Sequence, residues 1–167
     1  NKNKNTFNNL LFDETTKILK LLSSYVIKKK ISCLIQLRNL NSRGAFEKEF
    51  FKSFFNDYEK LYFKEKQDPL SSFYNILRSD LVISSFSQLS YEAMILDRKT
   101  LTVPLKINDY STLHPSKFDS YSSLWGWSIH NYDQEEFNKK IDELMSLNIK
   151  KYLEETSEKS NYIINKN

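Results

Sequence analysis

Glycine is scarce in this chain, since Gly44 and Gly126 are the only two among 167 residues. An average chain of this length carries roughly 12 glycines. Neither glycine has a second one within motif distance. The sequence therefore contains neither the G-x-G-x-x-G loop of dinucleotide-binding proteins nor the G-x-x-x-x-G-K-[ST] phosphate loop. Any phosphate-binding loop in this chain has to be built without glycine.

Cysteine and long apolar runs are also lacking. The single cysteine, Cys33, excludes a disulfide framework and a Cys-based zinc site, and it is typical of a reducing compartment. The apolar runs are too short for a transmembrane helix, and the first residues lack the apolar region of a secretory signal. We therefore expect a cytoplasmic protein. Because the chain begins at Asn1 rather than Met, we also expect it to be part of a longer protein or a trimmed form.

The net charge of +4 is unevenly distributed along the chain. Residues 1–66 contain 14 Lys/Arg and 7 Asp/Glu, whereas residues 67–167 contain 11 and 14. A basic half suits an anionic ligand, nucleic acid or an anionic membrane surface. Lysines outnumber arginines 21 to 4, and no motif of the usual nucleic-acid-binding modules is present. We therefore expect no nucleic-acid partner, while peripheral contact with the inner face of the cell membrane stays open.

Apolar periodicity predicts helices that alternate with short strands. This order indicates β-α-β units, and hence an α/β, Rossmann-like domain with about five to six parallel strands and helices on both faces. We expect a polar lead-in over residues 1–12, the domain over 13–147, and a C-terminal helix with a polar tail over 148–167. The predicted strands are Ile31–Leu37, Leu61–Lys64, Asp80–Ser84, Thr100–Val103 and Trp127–His130. Among the predicted helices, one runs from Asp13 to Lys30, one is capped by Asp68 and runs to about Arg78, and one is capped by Asp133 and runs from Gln134 to about Met145.

The stretch from Asp80 to Val103 carries the clearest indication of a site. A buried strand ends in S-S-F-S and turns directly into a helix predicted from Gln88 to Leu96. Ligands bind at the carboxyl ends of parallel strands, and the first-turn N–H groups of a helix suit an anion. Glu92 suits hydrogen bonds from paired ribose or sugar hydroxyls. A second interpretation stays open, because serine and glutamate at a helix start are often only capping residues.

The pattern S-x-S-x-x-S-x-E-A after this strand, followed by D-R-K and another apolar strand, resembles the C-terminal half of GT-B glycosyltransferases. The closest likeness is to bacterial capsule and surface-polysaccharide transferases, and the preceding helix S-F-Y-N-I-L-R-S matches as well. The resemblance is clear over Asp68 to Val103, and the element order follows it from Asp13 to Met145. It implies a donor-binding domain for a nucleotide-sugar, forming one half of a GT-B fold.

The resemblance also implies two groups of donor-binding residues. Those expected around the donor phosphate are Ser85, Phe86, Ser87, Gln88 and Arg38. Glu92 and Ser90 are expected to bind the ribose or the sugar. His114 and Trp125 are further candidates for loop or stacking contacts, with a surface loop and a core cap as their respective alternatives. No metal site is indicated.

The chain departs from the transferase pattern at several positions. No His-Pro follows Arg38, Ser84 stands where many retaining members have a glutamate, and the loop has no glycine. The donor (a UDP-, GDP- or CMP-sugar, with no tightly bound cofactor) and the stereochemistry therefore stay open. The base that activates the acceptor is expected in a second half-domain, either in the same chain or in a partner subunit. We therefore expect this chain alone not to catalyse the transfer.

Two other functions remain alternatives to the transferase. One is the corresponding half of a sugar-nucleotide 2-epimerase, and the other is a non-catalytic module of the same fold that pairs with another domain or subunit. One further segment has two interpretations. The helix that carries Phe46, Phe50, Phe51, Phe54 and Phe55 is predicted to pack in the core, with a membrane-surface face as the alternative.

Overall fold

Helices and short strands alternate along the computed structural model, which describes residues 2–37, 42–65, 68, 70–85, 89–103, 127–129 and 131–165. This alternation agrees with the α/β class. The helices are α1 (Lys2–Lys29), α2 (Ser42–Lys52), α3 (Ser71–Leu77), α4 (Leu89–Ile95), α5 (Gln134–Ser146) and α6 (Ile149–Asn165). The strands are β1 (Cys33–Gln36), β2 (Leu61–Lys64), β3 (Val82–Ser84) and β4 (Thr100–Thr102).

The strands form two separate parallel pairs. In the first, β1 runs beside β2 with Cys33 opposite Leu61, and in the second, β3 runs beside β4 with Val82 opposite Thr100. The second pair is extended by a parallel bridge between Thr102 and Ser128. Two hydrogen bonds hold that bridge, from the Thr102 N–H to the Trp127 carbonyl at 3.0 Å and from the Ile129 N–H to the Thr102 carbonyl at 2.9 Å.

The predicted sheet of five to six strands, and with it the Rossmann-like half of a GT-B fold, is wrong for this structure. Within the described residues, the sheets are two short two-stranded ones. The prediction counted apolar runs, whereas a sheet needs backbone pairing between particular runs. Each run pairs over only three or four residues. Ile35 of β1 and Ile83 of β3 pack against one buried cluster, so side chains rather than a shared ladder join the two pairs.

One apolar core lies between the strands and the long helices. Its fully buried side chains come from β4 and Val103 after it, from Ile129, from the loop after α2, and from α5 and α6. The buried members are Ile18, Leu21, Tyr25, Val26, Phe55, Met94, Leu101, Val103, Ile129, Phe137, Ile141, Leu144 and Tyr152. Removal of such apolar surface from water is the main term that stabilises a fold of this kind.

Helices α1 and α5 are joined by polar contacts between residues far apart in the sequence. The Tyr25 hydroxyl donates to Asp142 at 2.7 Å, and Lys29 pairs with the same carboxylate at 2.8 Å. The hydrogen bond from Lys29 has the largest effect in lowering the pKa of Asp142, and the hydrogen bond from Tyr25 lowers it further. Just before α5, the Tyr132 hydroxyl donates to the buried Glu14. The amphipathic face of α1 is thus held against the C-terminal part of the chain.

The phenylalanine-rich segment of α2 is only partly core. Phe55, just past the helix, is fully buried, whereas Phe50 and Phe54 are half-buried and Phe46 is exposed. The rings of Phe50 and Phe54 meet edge to face, with their centroids 5.2 Å apart. The prediction that these phenylalanines pack in the core is therefore correct at the C-terminal end of α2 and wrong at its beginning.

Helix starts follow the predicted caps in one case and not in another. Asp133 caps α5 as predicted, because its carboxylate accepts a hydrogen bond from the Glu136 N–H at 2.8 Å. Asp68 was predicted to cap α3, but that helix begins at Ser71. The Asp68 carboxylate instead accepts from the Leu70 N–H at 2.7 Å, in a turn that precedes the helix.

Tyr152 of α6 is attached to the beginning of β4. Its hydroxyl accepts from the Thr100 N–H at 3.0 Å and donates to the Arg98 carbonyl at 3.1 Å. Burial raises the pKa of Tyr152 to about 12, so this hydroxyl stays protonated at neutral pH. The contact therefore connects α6 to the edge of the second strand pair through a neutral donor and acceptor.

We expect Tyr152→Phe to lower the free energy of unfolding by about 1–1.5 kcal/mol, because both hydrogen bonds are lost while the ring still fills its site. Urea denaturation followed by circular dichroism measures the change. Ser157→Ala, on the exposed side of the same helix, is the control and is expected to change stability by less than about 0.5 kcal/mol. An equal loss in both variants would contradict a specific role for the tyrosine hydroxyl.

Candidate functional site

The predicted donor site lies around the connection from β3 to α4. Strand β3 ends at Ser84, Ser85 follows it half-buried, and α4 begins at Leu89. The Ser84 carbonyl accepts from the Val103 N–H at 2.9 Å, which holds the ends of β3 and β4 side by side. Because β3 and β4 are parallel, α4 is a crossover helix, and the carboxyl ends of both strands lie at one edge.

The structure describes three of the predicted site residues. Ser85 lies at the strand end, and Ser90 and Glu92 lie in α4. The other six predicted residues lie outside the described part of the chain. These are Arg38, Phe86, Ser87, Gln88, His114 and Trp125.

Ser90 and Glu92 occupy different sides of α4. Ser90 is buried together with Ala93 and Met94, on the side that faces the core, whereas Glu92 is half-buried. Residues two positions apart on a helix do not face each other. The structure therefore does not bring the Ser90 hydroxyl and the Glu92 carboxylate together, although both were predicted at the ribose or the sugar.

Glu92 has the position and the freedom to accept hydrogen bonds from a ligand. Among the described residues, its carboxylate has no hydrogen bond and no ion pair. Glu92 lies in the first turn of α4, and the residues just before that helix, 86–88, lie outside the described part of the chain. The capping interpretation therefore stays open beside the ligand interpretation.

A depression that sequence reasoning missed lies elsewhere, where α2 ends and the chain turns toward β2. Its volume is about 300 Å³, and its lining residues are Glu49, Lys52, Ser53, Asn56 and Asp57. Asn56 and Asp57 both adopt left-handed backbone conformations, with φ of 48° and 54°. The Asn-Asp pair is the sequence signal for this turn. The Lys52 ammonium pairs with the Asp57 carboxylate at 3.2 Å, so the charges of the depression largely satisfy each other.

Two further observations concern the Cys33 thiol and the residue types that bind metals. Burial raises the pKa of the Cys33 thiol to about 11, which leaves it protonated and unreactive at neutral pH. Within the described residues, no three His, Cys, Asp or Glu side chains gather in a way that would hold a metal ion. None of the helices searched in that same part has the length and apolar character needed to cross a membrane.

The parallel strands and their crossover helix define an α/β protein, a class in which ligands bind where the strands end. The chain belongs to the family described as "putative O-antigen biosynthesis protein", whose family model matches residues 1–165. No curated protein and no solved structure matches the chain.

The family agrees with one part of the resemblance found in the sequence. O-antigen is a surface polysaccharide, so the expected setting in surface-polysaccharide synthesis is confirmed. The finer expectations, a GT-B domain and glycosyltransferase activity, are not part of what the family match shows.

Proposed function

We propose that this chain binds the nucleotide-sugar donor of a glycosyltransferase that acts in O-antigen synthesis. The observation that carries the proposal is the family match over residues 1–165. Polysaccharides are assembled from activated sugars, and a nucleoside phosphate is the leaving group that activates them. A member of an O-antigen family with an α/β fold and a polar strand end therefore suits donor binding.

The proposed site is the strand end formed by β3 and β4, with Ser85 and Glu92 as its described members. Ser85 offers a hydroxyl donor directly after β3, and Glu92 offers a carboxylate without a partner among the described residues. A carboxylate repels phosphate but accepts hydrogen bonds from two adjacent hydroxyls. Glu92 is accordingly assigned to the ribose or the sugar, and Ser85 to the phosphate side.

The proposed reaction is displacement at the anomeric carbon of the donor sugar. An acceptor hydroxyl forms the new C–O bond, the bond from the sugar to the nucleoside phosphate breaks, and the phosphate leaves with the electron pair. Hydrogen-bond donors around the departing phosphate stabilise its developing charge. The base that takes the proton of the acceptor belongs, in this proposal, to another domain or subunit.

Calorimetry of the 167-residue chain with UDP, GDP, CMP and their sugar conjugates tests donor binding. We expect one nucleotide to bind measurably, and its sugar conjugate to bind more tightly because the sugar adds contacts. The same samples are assayed for release of free nucleotide with and without an acceptor sugar. Absence of heat with every nucleotide at millimolar concentrations would overturn the proposal.

Analysis of the same samples for free nucleotide and for the identity of the sugar, together with a test for complex formation, separates the transferase from its two alternatives. Binding without turnover is expected for a donor-binding half that lacks its acceptor base. Interconversion of the sugar without an acceptor would identify an epimerase instead. A chain that binds no nucleotide but forms a complex with another O-antigen protein would be a non-catalytic module.

A further inference from the structure

A contact between two side-chain amides joins the end of β1 to α3. Asn75 Nδ2 donates to Gln36 Oε1 at 2.6 Å, across 39 positions of the sequence. Gln36 Nε2 in turn donates to the Leu37 carbonyl at 3.2 Å and to the Lys64 carbonyl at 3.1 Å. Gln36 is the last residue of β1, and Lys64 is the last residue of β2. One side chain therefore connects the carboxyl ends of the first strand pair to a helix.

The orientation of the Gln36 amide follows from these three hydrogen bonds. Only its NH₂ group can donate to the two backbone carbonyls, which leaves its oxygen to accept from Asn75. Both side chains are half-buried, where a hydrogen bond competes less with water than it does on the open surface. A glutamate or an apolar residue in place of Gln36 would lose the bonds to the carbonyls. The contact is therefore specific to a pair of amide side chains.

Helix α3 extends this contact toward the proposed donor site. It packs against α4, which carries Glu92, and α4 in turn packs against β3. Helices α3 and α4 are each seven residues long, about two turns. Helices this short have little stability of their own, so their placement depends on contacts with neighbouring elements. The amide contact with Gln36 is one such restraint on α3, and through α3 on α4.

We propose that Gln36, acting through Asn75, positions Glu92 for the nucleotide-sugar. The proposal rests on the donor-binding function proposed above, and Gln36 is a positioning residue in it because it acts through α3 and α4. Without the contact, the two short helices shift more freely relative to β1. The Glu92 carboxylate then spends less time where it accepts hydrogen bonds from the sugar or ribose hydroxyls, and affinity for the donor falls.

Hydrogen exchange of the 167-residue chain, measured by mass spectrometry, tests the restraint without any nucleotide. Gln36→Ala and Asn75→Leu are each expected to speed exchange of the α4 amides about fivefold, because α4 opens more readily once α3 is released from β1. Asn138→Leu is the matched control, since Asn138 accepts from Gln134 Nε2 at 2.8 Å within α5. It is expected to leave exchange in α4 unchanged.

Calorimetry with the best-binding UDP-, GDP- or CMP-sugar tests whether the restraint acts through Glu92. Gln36→Ala is expected to weaken binding about fivefold in the otherwise unmodified chain. In a chain that already carries Glu92→Ala, the same substitution is expected to change affinity by less than about twofold, because the group that it positions is absent. A general loss of structure would weaken binding equally in both chains. Circular dichroism confirms that each variant is folded.

Three outcomes would overturn the proposal, and they are distinguishable. Unchanged exchange in α4 for both Gln36→Ala and Asn75→Leu would show that the amide contact does not restrain this helix. Equal weakening of binding with and without Glu92→Ala would show that Gln36 acts on the donor by another route. Faster exchange in α4 of a chain that binds no nucleotide would instead overturn the donor-binding function, and with it the role of Gln36 toward a nucleotide-sugar.

Discussion

Phe137→Ala is expected to lower the free energy of unfolding by about 3–5 kcal/mol, the range for removal of a fully buried aromatic ring. Phe137 is completely inaccessible to solvent in the core-facing side of α5. Its ring meets that of Tyr25 edge to face, with centroids 6.4 Å apart. Truncation would leave a cavity between α1 and α5, which the surrounding helices fill only in part.

Urea denaturation measures this loss, and Phe46→Ala is its control. Phe46 is the same residue type on another helix but largely exposed, so its truncation is expected to change stability by less than about 0.5 kcal/mol. Loss of less than about 1 kcal/mol in Phe137→Ala would mean that α5 does not contribute to the core as described.

Glu92→Ala is expected to weaken binding of the nucleotide-sugar by about thirtyfold, equivalent to about 2 kcal/mol for lost hydrogen bonds to a charged acceptor. Glu92→Gln is expected to lose less, because the amide keeps one acceptor oxygen. The variant is suited to this test because Glu92 makes no hydrogen bond or ion pair with the other described residues. Its substitution therefore removes few contacts of the fold itself.

Glu135→Gln is the matched control for the Glu92 variants. Glu135 is an exposed glutamate in the first turn of α5, distant in sequence from the strand ends. Calorimetry with the best-binding nucleotide-sugar is expected to give the same affinity for Glu135→Gln as for the unmodified chain. If Glu92→Ala also binds normally, the assignment of Glu92 to the donor is wrong, whatever the result for the nucleotide panel.

The positions of individual helices and strands could be predicted from the sequence more fully than the pairing between strands. Strand β2 falls at Leu61–Lys64 as predicted, and α5 begins at Gln134 as predicted, one residue after its cap. Both follow from short-range patterns of apolar residues and a capping side chain. Helix α1, predicted from Asp13, begins at Lys2 instead. Its polar first turns lack an apolar face of the kind on which helix prediction depends.

The arrangement of the strands could not be obtained in the same way. An apolar run such as Ile31–Leu37 predicts a strand, but the number of paired residues depends on a neighbour elsewhere in the chain. In the structure, β1 pairs only from Cys33 to Gln36 and only with β2. The prediction of an extended sheet was wrong because strand pairing depends on contacts between distant segments of the chain.

The location of the candidate site stays a prediction from the sequence, and the orientation of its side chains could not be predicted. The small polar residues after β3 indicated the strand end, and Ser85 and Glu92 lie beside it in sequence as expected. The burial of Ser90 depends on which side of α4 meets the core. A helix of this length, with apolar residues on several sides, does not reveal that from its sequence.

The contacts between α1 and the region of α5 have a consequence for folding while the chain is being synthesised. Tyr25 and Asp142 are 117 positions apart, and Glu14 and Tyr132 are 118 apart. A ribosome must therefore synthesise most of the chain before α1 meets its packing partner. Until then the apolar face of α1 is open to chaperones or to other chains, and early termination before Asp133 would leave it so permanently.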